Sequence, residues 1–227
     1  MRVAYEAADM KTWTAFTVAF VVLTGACASR QAVRFGQGHK LVSRALPPIE
    51  ITLPPEFTYA GKFPFTIDGI AAGERHVFVD ADGRRVRRTF IAQFESFLPS
   101  SDEIYRYDFS KAMDWGGFRF REMTFIFNDL ETARAEPAKE AALTRAFLLE
   151  RGYELPEEWM VSRFVTLGDE TRKHELILFY AEDLRGRTGK TMAEMVHGEE
   201  PTPLWQQTRA ELRERSLKAI SIQRRSD

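Results

Sequence analysis

The sequence predicts an α+β fold: a mostly antiparallel sheet with one central and one C-terminal helix packed on it. Three observations carry this expectation. Segments of period-two alternation recur from Ile49 onward, two pairs of them join across tight-turn residues, and only two stretches combine helix-boundary signals with a helical apolar stripe. With 227 residues, 44% of them hydrophobic, the chain is long enough for one domain with a continuous core.

Taken in order, Ile49-Glu50-Ile51-Thr52-Leu53 alternates as a half-buried strand does, and Phe63, Phe65 and Ile67 repeat the pattern. His76 to Asp80 and Arg85 to Leu98 read as the arms of a hairpin, because Asp82-Gly83 suits the positive φ angles of a tight turn. In the second arm Val86, Phe90, Ala92 and Phe94 share one face. Arg85, Arg87, Thr89, Gln93 and Glu95 share the other, which the pattern predicts to be wet. Between Phe118 and Phe127 the apolar positions switch from even to odd, predicting a bulge near Arg121-Glu122. Trp159 to Leu167 and Arg172 to Ala181 form a second hairpin across Gly168-Asp169, and Leu176 to Tyr180, apolar on both faces, predicts a central strand. Pro137 and Gly152 bound the central helix. Thr202 and Pro203 open the C-terminal one, with Trp205, Thr208, Leu212, Ser216 and Ala219 on its buried stripe.

Ahead of this domain, Thr12 to Thr24 is uncharged and almost wholly apolar or small, and Met10-Lys11 precedes it directly. A short basic region before a short apolar run is the pattern of a secretory signal, and Met10 is a plausible start of translation. The run ends Leu23-Thr24-Gly25-Ala26-Cys27. This segment resembles the lipobox of bacterial exported lipoproteins, with Thr24 in the place usually held by an aliphatic residue. The resemblance covers the leader alone. It implies a diacylglyceryl group on Cys27, a lipid-anchored protein of the cell envelope and, with Ala28 rather than aspartate after the cysteine, placement in the outer membrane facing the periplasm. Cleavage after Ala28, from the Ala26-Cys27-Ala28 pattern, and a core helix are the competing readings. Cys27 is the chain's one cysteine, and lipidation accounts for a lone thiol in an exported protein. The expected organisation is a leader over residues 1–27, a flexible basic tether over 28–48 carrying Arg30, Arg34, Lys40 and Arg44, and a single α+β domain over 49–227.

Several chemistries find little support. A net charge of −1 argues against a general nucleic-acid binder. Gly186 to Thr191 (Gly-Arg-Thr-Gly-Lys-Thr) has the end of a phosphate loop, but Leu184 stands where its first glycine belongs. Asp80-Ala81-Asp82-Gly83 starts like a calcium loop and continues with Arg84. His174-Glu175 would need a second histidine where Leu178 stands, and His39, His76, His174 and His197 are scattered, so no metal or other cofactor is expected. There is no Gly-x-Ser-x-Gly elbow. The carboxylate pairs Glu157-Glu158, Asp169-Glu170, Glu182-Asp183 and Glu199-Glu200 all adjoin expected turns or element ends, where solvated acids are the rule. No catalytic residue is nominated.

Two features remain. Arg84, Arg85, Arg87 and Arg88 gather beside a hairpin turn, where they either protect an edge strand or meet an anionic surface such as phospholipid, an anionic glycolipid or an envelope protein. Eighteen phenylalanines, many on adjacent strand faces, build a sheet core or enclose an apolar ligand. The functional expectation is a membrane-tethered envelope lipoprotein with a non-enzymatic binding or interaction domain. The alternatives are a carrier or sensor of a hydrophobic small molecule or lipid and, third, an envelope hydrolase.

Overall fold

The computed structural model describes residues 33–197 and 200–225. The leader, Cys27 and the first residues of the expected tether lie outside the described residues. The chain runs through β1 (Arg34–Gln37), β2 (Lys40–Ser43), β3 (Ile49–Thr52), β4 (Thr58–Ile67), β5 (Ala71–Asp82), β6 (Arg85–Phe97), β7 (Met113–Trp115) and β8 (Phe118–Asn128). Helices α1 (Asp129–Ala135) and α2 (Glu140–Glu150) follow, then β9 (Glu158–Leu167), β10 (His174–Asp183), α3 (Leu184–Thr188), α4 (Met192–Met195), the two-residue strands β11 (Val196–His197) and β12 (Glu200–Pro201), α5 (Pro203–Ala219) and β13 (Ser221–Arg224).

The fold is α+β and mostly antiparallel. A seven-stranded sheet runs β4-β5-β6-β10-β9-β8-β7, and a four-stranded sheet runs β1-β2-β3-β13. β10 lies in the middle of the large sheet, where a run apolar on both faces belongs. One face of that sheet, with Phe78, Phe90, Phe94, Phe120, Phe164, Leu178 and Tyr180, packs against the small sheet and α5 through Leu41, Ile51, Trp205, Leu212 and Ile222. The opposite face, with Val77, Ile91, Val161 and Ala181, packs against Phe147 and Leu148 of α2. Local chemistry fits these elements. Thr202 accepts the Trp205 amide at the start of α5, Asn128 accepts the Glu131 amide at α1, and Gly83 turns the β5–β6 hairpin with φ 59°.

Four expectations change. The basic tether does not extend to Pro48, because β1 and β2 are paired strands of the small sheet. Its linker-like glycines have structural duties: a Cβ on Gly36 would stand 2.4 Å from the Tyr59 ring, and Gly38 turns the hairpin with φ 56°. The second face of β6 is not wet, since Thr89, Gln93 and Glu95 are buried. Val86 belongs with that face, because an irregularity between Asp80 and Ala81 shifts the register. The phase change in β8 involves no bulge. Its pairing with β9 is unbroken from Arg121↔Val165 to Asn128↔Glu158, and the switch arises because Phe118 and Phe120 face one core while Phe125 and Phe127 face the other. Finally, five helices occur among the described residues rather than two. Gly186 and Thr188 lie within α3, and Gly189 caps it in the left-handed conformation, so the lysine-bearing turn is a helix end.

Candidate functional site

The antiparallel register lays side chains of the α2-facing side in rows across five strands. One row reads Val79, Thr89, Ala181, Val161, Phe125, and the next Val77, Ile91, Phe179, Arg163, Met123. The third is Arg75, Gln93, Ile177, Val165, Arg121, and the fourth begins Gly73, Glu95, Glu175, Leu167. An apolar floor therefore passes into a polar one within two rows.

Over the apolar rows, α1 and α2 roof a cavity of about 280 Å³. Its floor is Ile91, Phe125, Phe127, Val161 and Phe179, its roof includes Leu148 and Ala141, and Trp159 and Leu155 close one side. Such a volume lies at the lower edge of the range for small-molecule sites. Gly61, at φ 125° beside an irregularity in β4, lets the Phe147 ring approach within 3.1 Å of where its Cβ would be, bringing α2 down on the sheet. Among the polar groups of the wall, Asp129 and Arg145 pair at 2.6 Å, and burial nonetheless pushes the Asp129 carboxyl up.

Arg75 is different. It is 7% exposed, and it donates through Nε to Gln93 (2.7 Å) and through Nη1 to the Glu140 carbonyl (2.8 Å) and Thr144 Oγ1 (2.7 Å). It has no ion pair among the described residues, and its guanidinium lies 5.2 Å from the Phe179 ring. Burial lowers its pKa to about 10, so it remains a cation at neutral pH.

Beyond Arg75 the hydrogen bonds continue: Gln93 Nε2 donates to Glu95, Tyr105 donates to Glu95, and Tyr107 donates to Glu175, each at 2.7 Å. Both tyrosines belong to residues 98–112, a segment without helix or strand that straps over this row. Glu95 and Glu175 are direct cross-strand neighbours and are both buried. Burial, with the Glu95 carboxyl opposite, raises the Glu175 pKa to about 7 against the opposing influence of Tyr107 and Arg163.

The four arginines singled out in the sequence do come together at the β5–β6 turn, each beside a polar partner. Arg87 and Arg88 bind the two oxygens of buried Asp80 at 2.8 and 2.7 Å, Arg85 reaches Asp183 at 3.5 Å, and Arg84 donates to the Gly152 carbonyl at 2.6 Å. Arg85, Arg87 and Arg88, but not Arg84, border a cleft of about 730 Å³ together with Arg187 and with Arg215, whose guanidinium grips Glu182, and the cleft also holds Glu56 and Asp82. Arg85 and Arg87 remain 68% and 55% exposed. Among the described residues no group of three or more His, Asp or Glu side chains forms a metal site.

The sequence reading missed Arg75, Glu95 and Glu175. A usable signal existed, since all three occupy the same strand parity as buried apolar residues, Val77, Ile91 and Ile177. Fold and site together describe a two-sheet α+β domain with an apolar cavity bordered by a buried cation. Comparison with family models, curated proteins and solved structures finds no match for the chain.

Proposed function

We propose that this domain is a non-enzymatic binding module that takes a hydrophobic small molecule into the cavity between the large sheet and α1–α2. The observation that carries the reading is the cavity itself: aromatic and aliphatic on nearly every side and roofed by two helices. In the same proposal, the leader exports the chain, Cys27 carries the lipid, and the domain works tethered to a membrane of the cell envelope, facing the periplasm from the outer membrane. Metabolic labelling with an acyl chain, compared between wild type and Cys27→Ser, tests the anchor: label on both or neither chain removes it. Native mass spectrometry of protein purified from its own host tests the cargo. Expected is a retained small-molecule mass that Leu148→Trp, which fills the cavity, abolishes. A bare protein that also fails to take up an apolar dye would end the carrier reading.

The exposure of Arg85 and Arg87 favours a second reading, contact of the charged cleft with an anionic glycolipid, phospholipid or envelope protein. Replacing Arg85, Arg87 and Arg88 with Ser should weaken a salt-sensitive association with anionic vesicles. Association unchanged by the substitutions or by salt would remove this reading.

A further inference from the structure

We infer that the cavity is built for an anionic amphiphile, one whose carboxylate head docks on Arg75 while its hydrocarbon tail lies along Phe179, Ile91, Val161 and Phe125. This rests on the carrier reading and names its ligand class. Arg75 uses Nε and Nη1 on protein acceptors, and Nη2 makes no hydrogen bond among the described residues. Arg75 lines the cavity. The two Nη2–H groups are thus the donors left for a ligand. The other cation of the wall, Arg145, is held by Asp129.

Charge complementarity selects the head. Arg163 lies 6.0 Å from the Phe179 ring that Arg75 also approaches, but it does not line the cavity and its charge acts on Glu175 and Tyr107, which leaves Arg75 as the cation for the head. The nearby carboxylates of Glu140 and Glu95 favour the Arg75 cation through space, but neither forms an ion pair with it among the described residues. Glu140 presents its backbone carbonyl to Arg75, Glu95 accepts from Gln93 and Tyr105, and Glu175 accepts from Tyr107. A guanidinium that burial desolvates and that no carboxylate contacts directly favours an incoming anion. Arg75 is fixed at three acceptors before any ligand arrives, which reduces the ordering cost of binding. The cavity volume suits a short tail rather than a two-chain lipid.

The test uses the full-length chain and three probes with one eight-carbon tail: octanoate, 1-octanol and octylammonium, titrated calorimetrically at neutral pH. Octanoate should bind about tenfold or more tighter than 1-octanol, and octylammonium weakest. Arg75→Met should abolish the preference of octanoate over octanol. Equal affinity of the wild-type protein for octanoate and octanol overturns the headgroup assignment and leaves the apolar cavity standing. Failure of all three probes to bind overturns the carrier reading itself. The wild-type comparison decides the matter even if Arg75→Met does not fold.

Discussion

Glu175 is a carboxyl placed where ionisation is costly, and the folded state should report this as a dependence of stability on pH. Its side chain is 3% exposed, faces Glu95 across the β6–β10 ladder and titrates at about 7 rather than 4.5. The sign follows from linkage: the unfolded chain releases this proton more readily than the folded one, so the fold is favoured below the unfolded pKa. That advantage is lost as pH rises from about 4.5 through about 7. The full shift corresponds to about 3 kcal/mol, of which about 2.5 kcal/mol falls between pH 5 and pH 8. Glu175→Gln keeps the acceptor for Tyr107 and a donor toward Glu95, imitating the protonated acid. In urea unfolding, the variant should match wild type to within about 1 kcal/mol at pH 5 and exceed it by about 2–3 kcal/mol at pH 8. Two curves running parallel from pH 5 to pH 8 would refute the reasoning, because they would mean that Glu175 is ionised in both states or that water reaches it freely.

Three further changes test the frame around the site. Leu148→Ala, at a buried position on the cavity roof, should cost about 3 kcal/mol in urea unfolding and let the cavity accept a bulkier apolar dye; a loss under about 1 kcal/mol would mean that α2 does not press on the sheet. Asp80→Asn leaves Arg87 and Arg88 without their shared carboxylate, and since both arginines are partly exposed the expected loss is about 2 kcal/mol; no change in the urea midpoint would show that the pairs contribute little. Thr202→Ala removes the acceptor for the Trp205 amide and the donor to the Met195 carbonyl, so unfolding should fall by about 1 kcal/mol with near-unchanged circular dichroism.

How much of this was legible in the sequence depends on which signal each residue sends. Long strands with turn chemistry were readable: both hairpins, the central place of β10 and the start of α5 follow from alternation, Asp-Gly and Gly-Asp turns, and a Thr-Pro cap. Strands of four residues were not, because β1 and β2 offer only Leu41 and Ser43 as fully buried positions, and Gly36 reads as a linker when its duty is to admit Tyr59. The wet-face expectation for β6 failed for a related reason. Polarity was taken as exposure, but Gln93 and Glu95 are polar because they bond to one another, to Arg75 and to Tyr105, partners contributed by other segments. Arginines close in sequence gathered as expected at the β5–β6 turn, but Asp80 meets Arg88 through an irregularity in the hairpin register, and Asp183 comes from β10, whose pairing with β6 no local pattern specifies.

The polar row raises a question that packing alone does not answer. Burying Arg75, Glu95 and Glu175 in the sheet face costs solvation that well-packed apolar residues would not, so a domain needing only a core would fold as well or better with an aliphatic row. The hydrogen bonds explain part of the arrangement, since Tyr105 and Tyr107 use Glu95 and Glu175 to hold an otherwise irregular strap against the sheet. They do not explain its other end. A network serving the strap alone could stop at Gln93, yet it continues to a cation that borders the apolar cavity with one nitrogen unengaged. The strap and the cavity therefore share one chain of hydrogen bonds, Tyr105–Glu95–Gln93–Arg75, and an anion arriving at Arg75 would act on the same groups that fix the strap. That continuity ties the charged row to the cavity and makes Arg75, rather than the more conspicuous arginines of the hairpin, the residue on which the binding proposal turns.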